Sequence, residues 1–282
     1  MNVPVAASRR APSFPAAVLR MFDVAVGQLL WSKRTAFMAL AAGGPVVLGL
    51  ALRALDLSGM SALRVNGVRV GGPVMFGGII WLLYLKFVVP VFGAFYGTAL
   101  VSDEVEDRTI TYLFTRPIAR GAIVIGKYLA YVACTVLVVL PSVMVVFLLI
   151  TPIGGGSIAA TFPLLLADLG LLALGLAVYG AVFAFIGAQI PRPMVAGLVL
   201  VFGWEQLALI VPGYLRRFTV AYYVQSLVPH AMPHDEAIAA IQSLFSEPPS
   251  ATSSVLWLFG ILIVALGLAV RALETREYVL EQ

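Results

Sequence analysis

Six apolar runs separated by polar or proline-bearing stretches set the rhythm of the chain, at residues 35–52, 74–101, 123–151, 163–188, 194–212 and 253–270. A helix needs about 20 residues to cross a hydrocarbon core of roughly 30 Å, so each run predicts one membrane-spanning helix. Ahead of the first run the pattern changes. Val18, Met21, Phe22, Ala25, Val26, Leu29 and Leu30 recur at helical spacing, while Arg20, Asp23 and Gln28 fall elsewhere on the wheel. This predicts an amphipathic helix over 13–34, lying flat on the membrane surface. Ser13 is its N-cap, Pro15 suits its first turn, and Trp31, Lys33 and Arg34 belong at a headgroup boundary. Pro141 is expected to kink the third run, and Pro191 and Pro193 punctuate the turn between the fourth and fifth. Between the last two runs, "YLRRFTVAYYVQSLVP" carries Leu215, Phe218, Tyr222 and Leu227 but is too short and too polar to cross. The loop 213–252 is therefore read as holding an interfacial or re-entrant helix. The fold class is all-α: six transmembrane helices, an N-terminal interfacial helix and a re-entrant-like outer loop, in one domain spanning 1–282 without a visible internal repeat.

Composition agrees. Of 282 residues, 61% are hydrophobic and 11% charged, well outside the range of soluble globular domains. The single Cys134 lies within an apolar run, so neither an intrachain disulfide nor a cysteine metal site can form. No signal peptide is expected at the start, because "APSFP" at 11–15 interrupts any early apolar segment. Arg53, Arg64 and Arg69 occupy the first loop, but the start, the stretch after the second run and the tail with Arg271 and Arg276 hold more Lys and Arg in total. Both termini are accordingly placed in the cytoplasm.

The most polar stretch is "VSDEVEDRTITYLFTRPIARGAIVIGK", residues 101–127, with eight charges between two apolar runs. Ser102 is a plausible N-cap, and Asp103, Glu104, Glu106 and Asp107 crowd the first turns, where the helix dipole favours negative charge. Pro117 biases Arg116 away from helical geometry, which ends this short helix near Thr115 and restarts the chain near Gly121. On pattern alone the alternative is a solvated connector whose acids balance Arg108, Arg116, Arg120 and Lys127.

The same stretch resembles the segment between the second and third spans of ABC-2 type transporter permeases. The shared pattern is an acid pair (Asp103, Glu104), an Arg-Thr (Arg108, Thr109), a turn with Pro117 and Arg120, and a Gly-Lys (Gly126, Lys127) entering the next span. The resemblance implies that 102–120 contains a coupling helix docking onto a separate ATP-binding subunit. It further implies ATP and Mg in that subunit but no cofactor in this chain, and a second permease subunit as homo- or heterodimer; the basic start, without interleaved aromatics, reads as a flank against membrane lipid and no nucleic acid is expected. The implied role is an exporter of a bacterial or archaeal cytoplasmic membrane, not itself an enzyme. The chain has no G-x-x-x-x-G-K-[ST] phosphate loop of its own.

Lys86, Asp168 and Glu205 lie inside apolar runs, where a charge costs at least about 2.5–3.5 kcal/mol on insertion scales. By helical rise, Lys86 lies roughly 18 Å from the outer start of its run and Glu205 roughly 16 Å from the inner start of its own. The two can share a depth, as a pathway or gating pair or as a buried structural ion pair. His230, His234, Asp235 and Glu236 do not make a metal site, because Pro233 interrupts their spacing and no third ligand is evident. Two rival classes remain open. A multi-pass enzyme acting on lipid would need convergent catalytic polar residues, which the runs lack, and a stand-alone secondary transporter would be expected to show an internal repeat.

Overall fold

The computed structural model describes residues 13–30, 33–59, 64–65, 68–106, 119–210, 214–230 and 249–275, which are helical apart from connecting turns and a minimal antiparallel ladder pairing Arg64–Val65 with Val68–Arg69. Helix α1, Phe14–Leu30, turns Ala17, Val18, Met21 and Ala25 inward and leaves Arg20, Asp23 and Gln28 exposed. It packs on the start of α4, Arg120–Ile150. Their close approach depends on Gly126. A Cβ there would lie 2.6 Å from Met21 Cβ and 2.7 Å from the Val18 carbonyl, so any larger residue pushes the two helices apart. The Thr35 hydroxyl donates to the Leu29 carbonyl and fixes the corner into α2, Lys33–Leu57.

Among the described residues five helices are long and apolar enough to cross a membrane. They are Thr35–Leu57 within α2, α3 (Gly72–Ser102), α4, α5 (Ile158–Gln189) and α8 (Ala251–Thr275). The fifth apolar run also forms a helix, α6, described over Pro193–Ile210, about 27 Å at 1.5 Å per residue. It also contains a π-helical stretch, Leu200–Glu205.

The bundle is organised on α5, whose Leu172, Leu176, Val178, Tyr179 and Phe183 are fully buried. Tyr128 and Tyr131 of α4 donate to the Ala177 and Leu176 carbonyls at 2.9 and 3.1 Å, which sets the register of α4 against α5. Helix α3 packs against both α4 and α5. Gly187 of α5 meets the Thr98 backbone so closely that a Cβ would sit 2.3 Å from the Thr98 oxygen.

Helix α3 is not a uniform α-helix. It widens to π geometry over Ile80–Val88 and again over Gly93–Gly97, with Pro90 between. Pro90 lacks an N–H and its ring crowds the carbonyl four residues back, at Lys86, so the wider turn relieves that clash. Pro141, by contrast, lies inside an unbroken α4.

The 151–157 turn joins α4 to α5, with Gly154 and Gly155 at φ 67° and 84°, a left-handed conformation that glycine adopts at little cost. At the same end of the bundle a 3-10 turn, Tyr214–Phe218, leads into the short helix α7, Val220–Ser226. α7 packs Val220, Tyr223 and Val224 inward, and Trp257 of α8 stacks on Tyr223 at 6.0 Å. Leu215 and Phe218 are exposed.

One local expectation is corrected. Ser102 does not start a new helix. Helical structure continues unbroken from α3 through Ala99–Glu106, and the Ser102 hydroxyl donates back to the Thr98 carbonyl at 3.0 Å, as a serine inside a helix does.

Candidate functional site

Two polar assemblies take up Arg120, Lys127, Asp168 and Glu205, and Lys86 stands apart from both among the described residues. The first lies at the end of the bundle where α1 sits. Arg120 opens α4 and reaches the last turn of α8, donating to the carbonyls of Glu274 at 3.1 Å and Leu273 at 3.4 Å. These carbonyls have no helical partner, and the C-terminal end of a helix favours a cation. Two turns further along, Lys127 is 7% exposed and donates to the Leu100 carbonyl of α3 at 3.4 Å. Arg120 and Lys127 therefore tie α4 to α8 and α3 on either side, while Gly126 seats α1. Asp103 and Glu104 lie on the helical continuation of α3 that enters this end. Arg108, Thr109 and Pro117 lie outside the described residues.

Gly121, Gly126 and Lys127 come close to phosphate-loop spacing, with Tyr128 where a Ser or Thr would bind Mg. The structure places all four in α4, where the N–H groups of Gly126, Lys127 and Tyr128 are used by the helix and the Lys127 ammonium is bound to α3. That segment cannot cradle a phosphate.

The second assembly holds the segment 214–230 onto the opposite end. Glu205, in the π-helical part of α6, is 2% exposed. Its carboxylate accepts from the Tyr179 hydroxyl at 2.5 Å and from the backbone N–H groups of Val220 and Ala221. Those N–H groups open α7, so Glu205 caps a helix from outside it, beside Thr219, whose hydroxyl accepts from the Tyr222 N–H at 3.3 Å. At the other end of the segment His230 Nε2 lies 2.7 Å from Oδ2 of Asp168, a residue with no exposed surface. The His230 ring stands edge-on to Phe76 at 5.7 Å. Ser226 and Ser254 share a hydrogen bond of 2.8 Å in between.

Lys86 is not brought to Glu205 within the protomer. Its ammonium lies 4.0 Å from the centre of the Trp81 ring, and among the described residues no carboxylate pairs with it. Asp168 is likewise committed elsewhere, to His230. His234, Asp235 and Glu236 lie outside the described residues, and no cluster of three or more metal-ligating side chains occurs among those described. Sequence reasoning missed Tyr179 and the His230–Asp168 contact. The available signal was a tyrosine and a histidine, each without a reason to face lipid, in a chain with two otherwise unexplained buried acids.

Five long apolar helices packed through small residues, with every described acid inside the bundle answered by a hydrogen bond, define a multi-pass integral membrane protein. The chain belongs to the ABC-2 family of transporter proteins, whose family model matches residues 12–278. No curated protein sequence matches it individually. It is a membrane permease of the ABC transporter class, and of the residues that carried the resemblance, Arg120, Gly126 and Lys127 lie where α1, α3, α4 and α8 are tied together.

Proposed function

We propose that the chain exports its substrate as one of two permease subunits driven by two separate ATPase subunits, which bind ATP with Mg and dock onto the segment 102–120. The observation that carries this reading is the match to the ABC-2 family over nearly the whole chain. The geometry supports it. A motor docked at 102–120 pushes on the start of α4, and Arg120 and Lys127 hand that displacement to α8 and α3. In this reading both termini and α1 face the cytoplasm. α1 lies in the membrane interface with Arg20 and Asp23 toward water, and Tyr214–His230 forms the outer, re-entrant cover of a pathway running between the two permease subunits. Asp103, Glu104, Arg108, Thr109 and Pro117 belong to the docking surface.

The test is biochemical. The purified chain should neither bind nor hydrolyse ATP, whereas co-expression with its ATPase subunit should yield a complex that hydrolyses it. Glu104→Ala and Arg108→Ala should lower recovery of that complex or separate hydrolysis from transport, since a charged contact in a partly buried interface is worth about 2 kcal/mol or more. Hydrolysis by the isolated chain, free of contaminating ATPase, would overturn the assignment.

A further inference from the structure

Lys86 occupies the middle of α3, fourteen residues after Gly72 and sixteen before Ser102. A four-carbon stem cannot carry an ammonium from that depth to either surface of a core roughly 30 Å thick. The side chain is nevertheless partly exposed on the protomer's surface. Around it the surface is apolar and aromatic. Leu82 and Phe87 are 55% and 46% exposed, Trp81 stacks on the ammonium at 4.0 Å, and Phe202 of α6 lies 6.4 Å from Phe87. The two acids buried in the bundle are engaged by other donors, and no described carboxylate pairs with Lys86. A partly exposed cation at mid-membrane does not face hydrocarbon. It faces a hydrated cavity or an anion.

From this we infer that the α3–α6 face lines the substrate pathway and that Lys86 selects a substrate carrying an anionic group on an apolar body. The inference rests on the pathway reading above and adds the substrate class to it. One ammonium in a low-dielectric wall attracts a carboxylate, phosphate or sulfonate from a distance and repels a cation. The Trp81, Leu82, Phe87 and Phe202 surface receives the apolar remainder. The cation–π contact holds the ammonium in place without neutralising it, so its full charge stays available to a ligand. The π-helical turn over Ile80–Val88 is what presents Trp81, Leu82, Lys86 and Phe87 together on one face.

The test reads the charge directly and needs no knowledge of the substrate. In the assembled complex in liposomes, with Cys134→Ala as background, Leu82→Cys is reacted with two methanethiosulfonate reagents, one bearing a sulfonate and one a trimethylammonium. Rates are normalised to those on free cysteine, and Leu137→Cys serves as the lipid-facing control. The sulfonate reagent should react at least about tenfold faster at Leu82→Cys. Lys86→Met should abolish that preference, Lys86→Glu should reverse it, and Lys86→Arg should preserve it. Protection of Leu82→Cys from both reagents would mean that the face is packed or lipid-covered, which overturns the inference while leaving assembly with the ATPase intact. Equal reaction with both reagents, unaltered by Lys86→Met, would keep the pathway and dismiss the anionic substrate.

Discussion

Replacing Glu205 should release α7 more than any other single change in the bundle. Its carboxylate answers three donors at once, the Tyr179 hydroxyl and the N–H groups of Val220 and Ala221, in a place with 2% exposure. Glu205→Ala leaves all three unsatisfied, each costing about 1–3 kcal/mol. With partial relaxation the total comes to about 3–5 kcal/mol, the usual penalty for removing one partner of a buried charged contact. Glu205→Gln keeps an amide oxygen for one or two of the donors and should cost about 1–2 kcal/mol, as should Tyr179→Phe. Thermal unfolding in detergent should then fall on the order of 10 °C for Glu205→Ala. Hydrogen exchange should rise at the Val220 and Ala221 amides and spread through 214–230. Leu207→Ala, at an exposed position on the same helix, is the control. An exchange pattern for Glu205→Ala indistinguishable from that control would refute the capping role, whatever happened to the melting temperature.

Gly126→Val should detach α1, because its first carbon already falls 2.6 Å from Met21 Cβ. Overpacking costs typically about 1–3 kcal/mol, and faster proteolysis at Arg20 would report the release. Asp168→Ala should strand the His230 ring against Phe76 and cost about 1–3 kcal/mol, with Asp168→Asn milder. A double-mutant cycle of Asp168→Asn with His230→Gln should show coupling, and strict additivity would dismiss the contact. Lys86→Met and Glu205→Gln should combine additively in stability, since the two side chains hold different partners; a coupling above about 0.5 kcal/mol would argue otherwise.

The spans were legible because hydrocarbon leaves little choice. A run of about 20 apolar residues has to satisfy its own backbone, and helix is the way to do so. α1 was placed by periodicity, and the residues assigned to its apolar side include Val18, Met21 and Ala25, which now pack on α4. The fifth run was legible in its start, which Pro193 fixes, and its helix is described through Ile210. Ser102 was misplaced because the boundary was read from charge. Charge marks where a chain meets water, and helical hydrogen bonding runs on past that boundary through Glu106.

The polar contacts were illegible for a different physical reason. Helical rise gives the height of a side chain along its axis but not the direction it faces after packing, so Lys86 and Glu205 could be matched in depth and still point to different neighbours. Their true partners are distant in sequence. Tyr179 is 26 positions from Glu205, His230 is 62 from Asp168, and the Glu274 carbonyl is 154 from Arg120. Once those contacts are known, the intramembrane charges divide by task. Both acids serve the segment 214–230, Glu205 at the start of α7 and Asp168 at His230, so neither can leave its donor without loosening that end of the bundle. Among the described residues Lys86 ties no element to another: its ammonium's contact, with Trp81, lies within its own helix. An expensive charge with no described partner on another helix is one to assign to what passes through the fold.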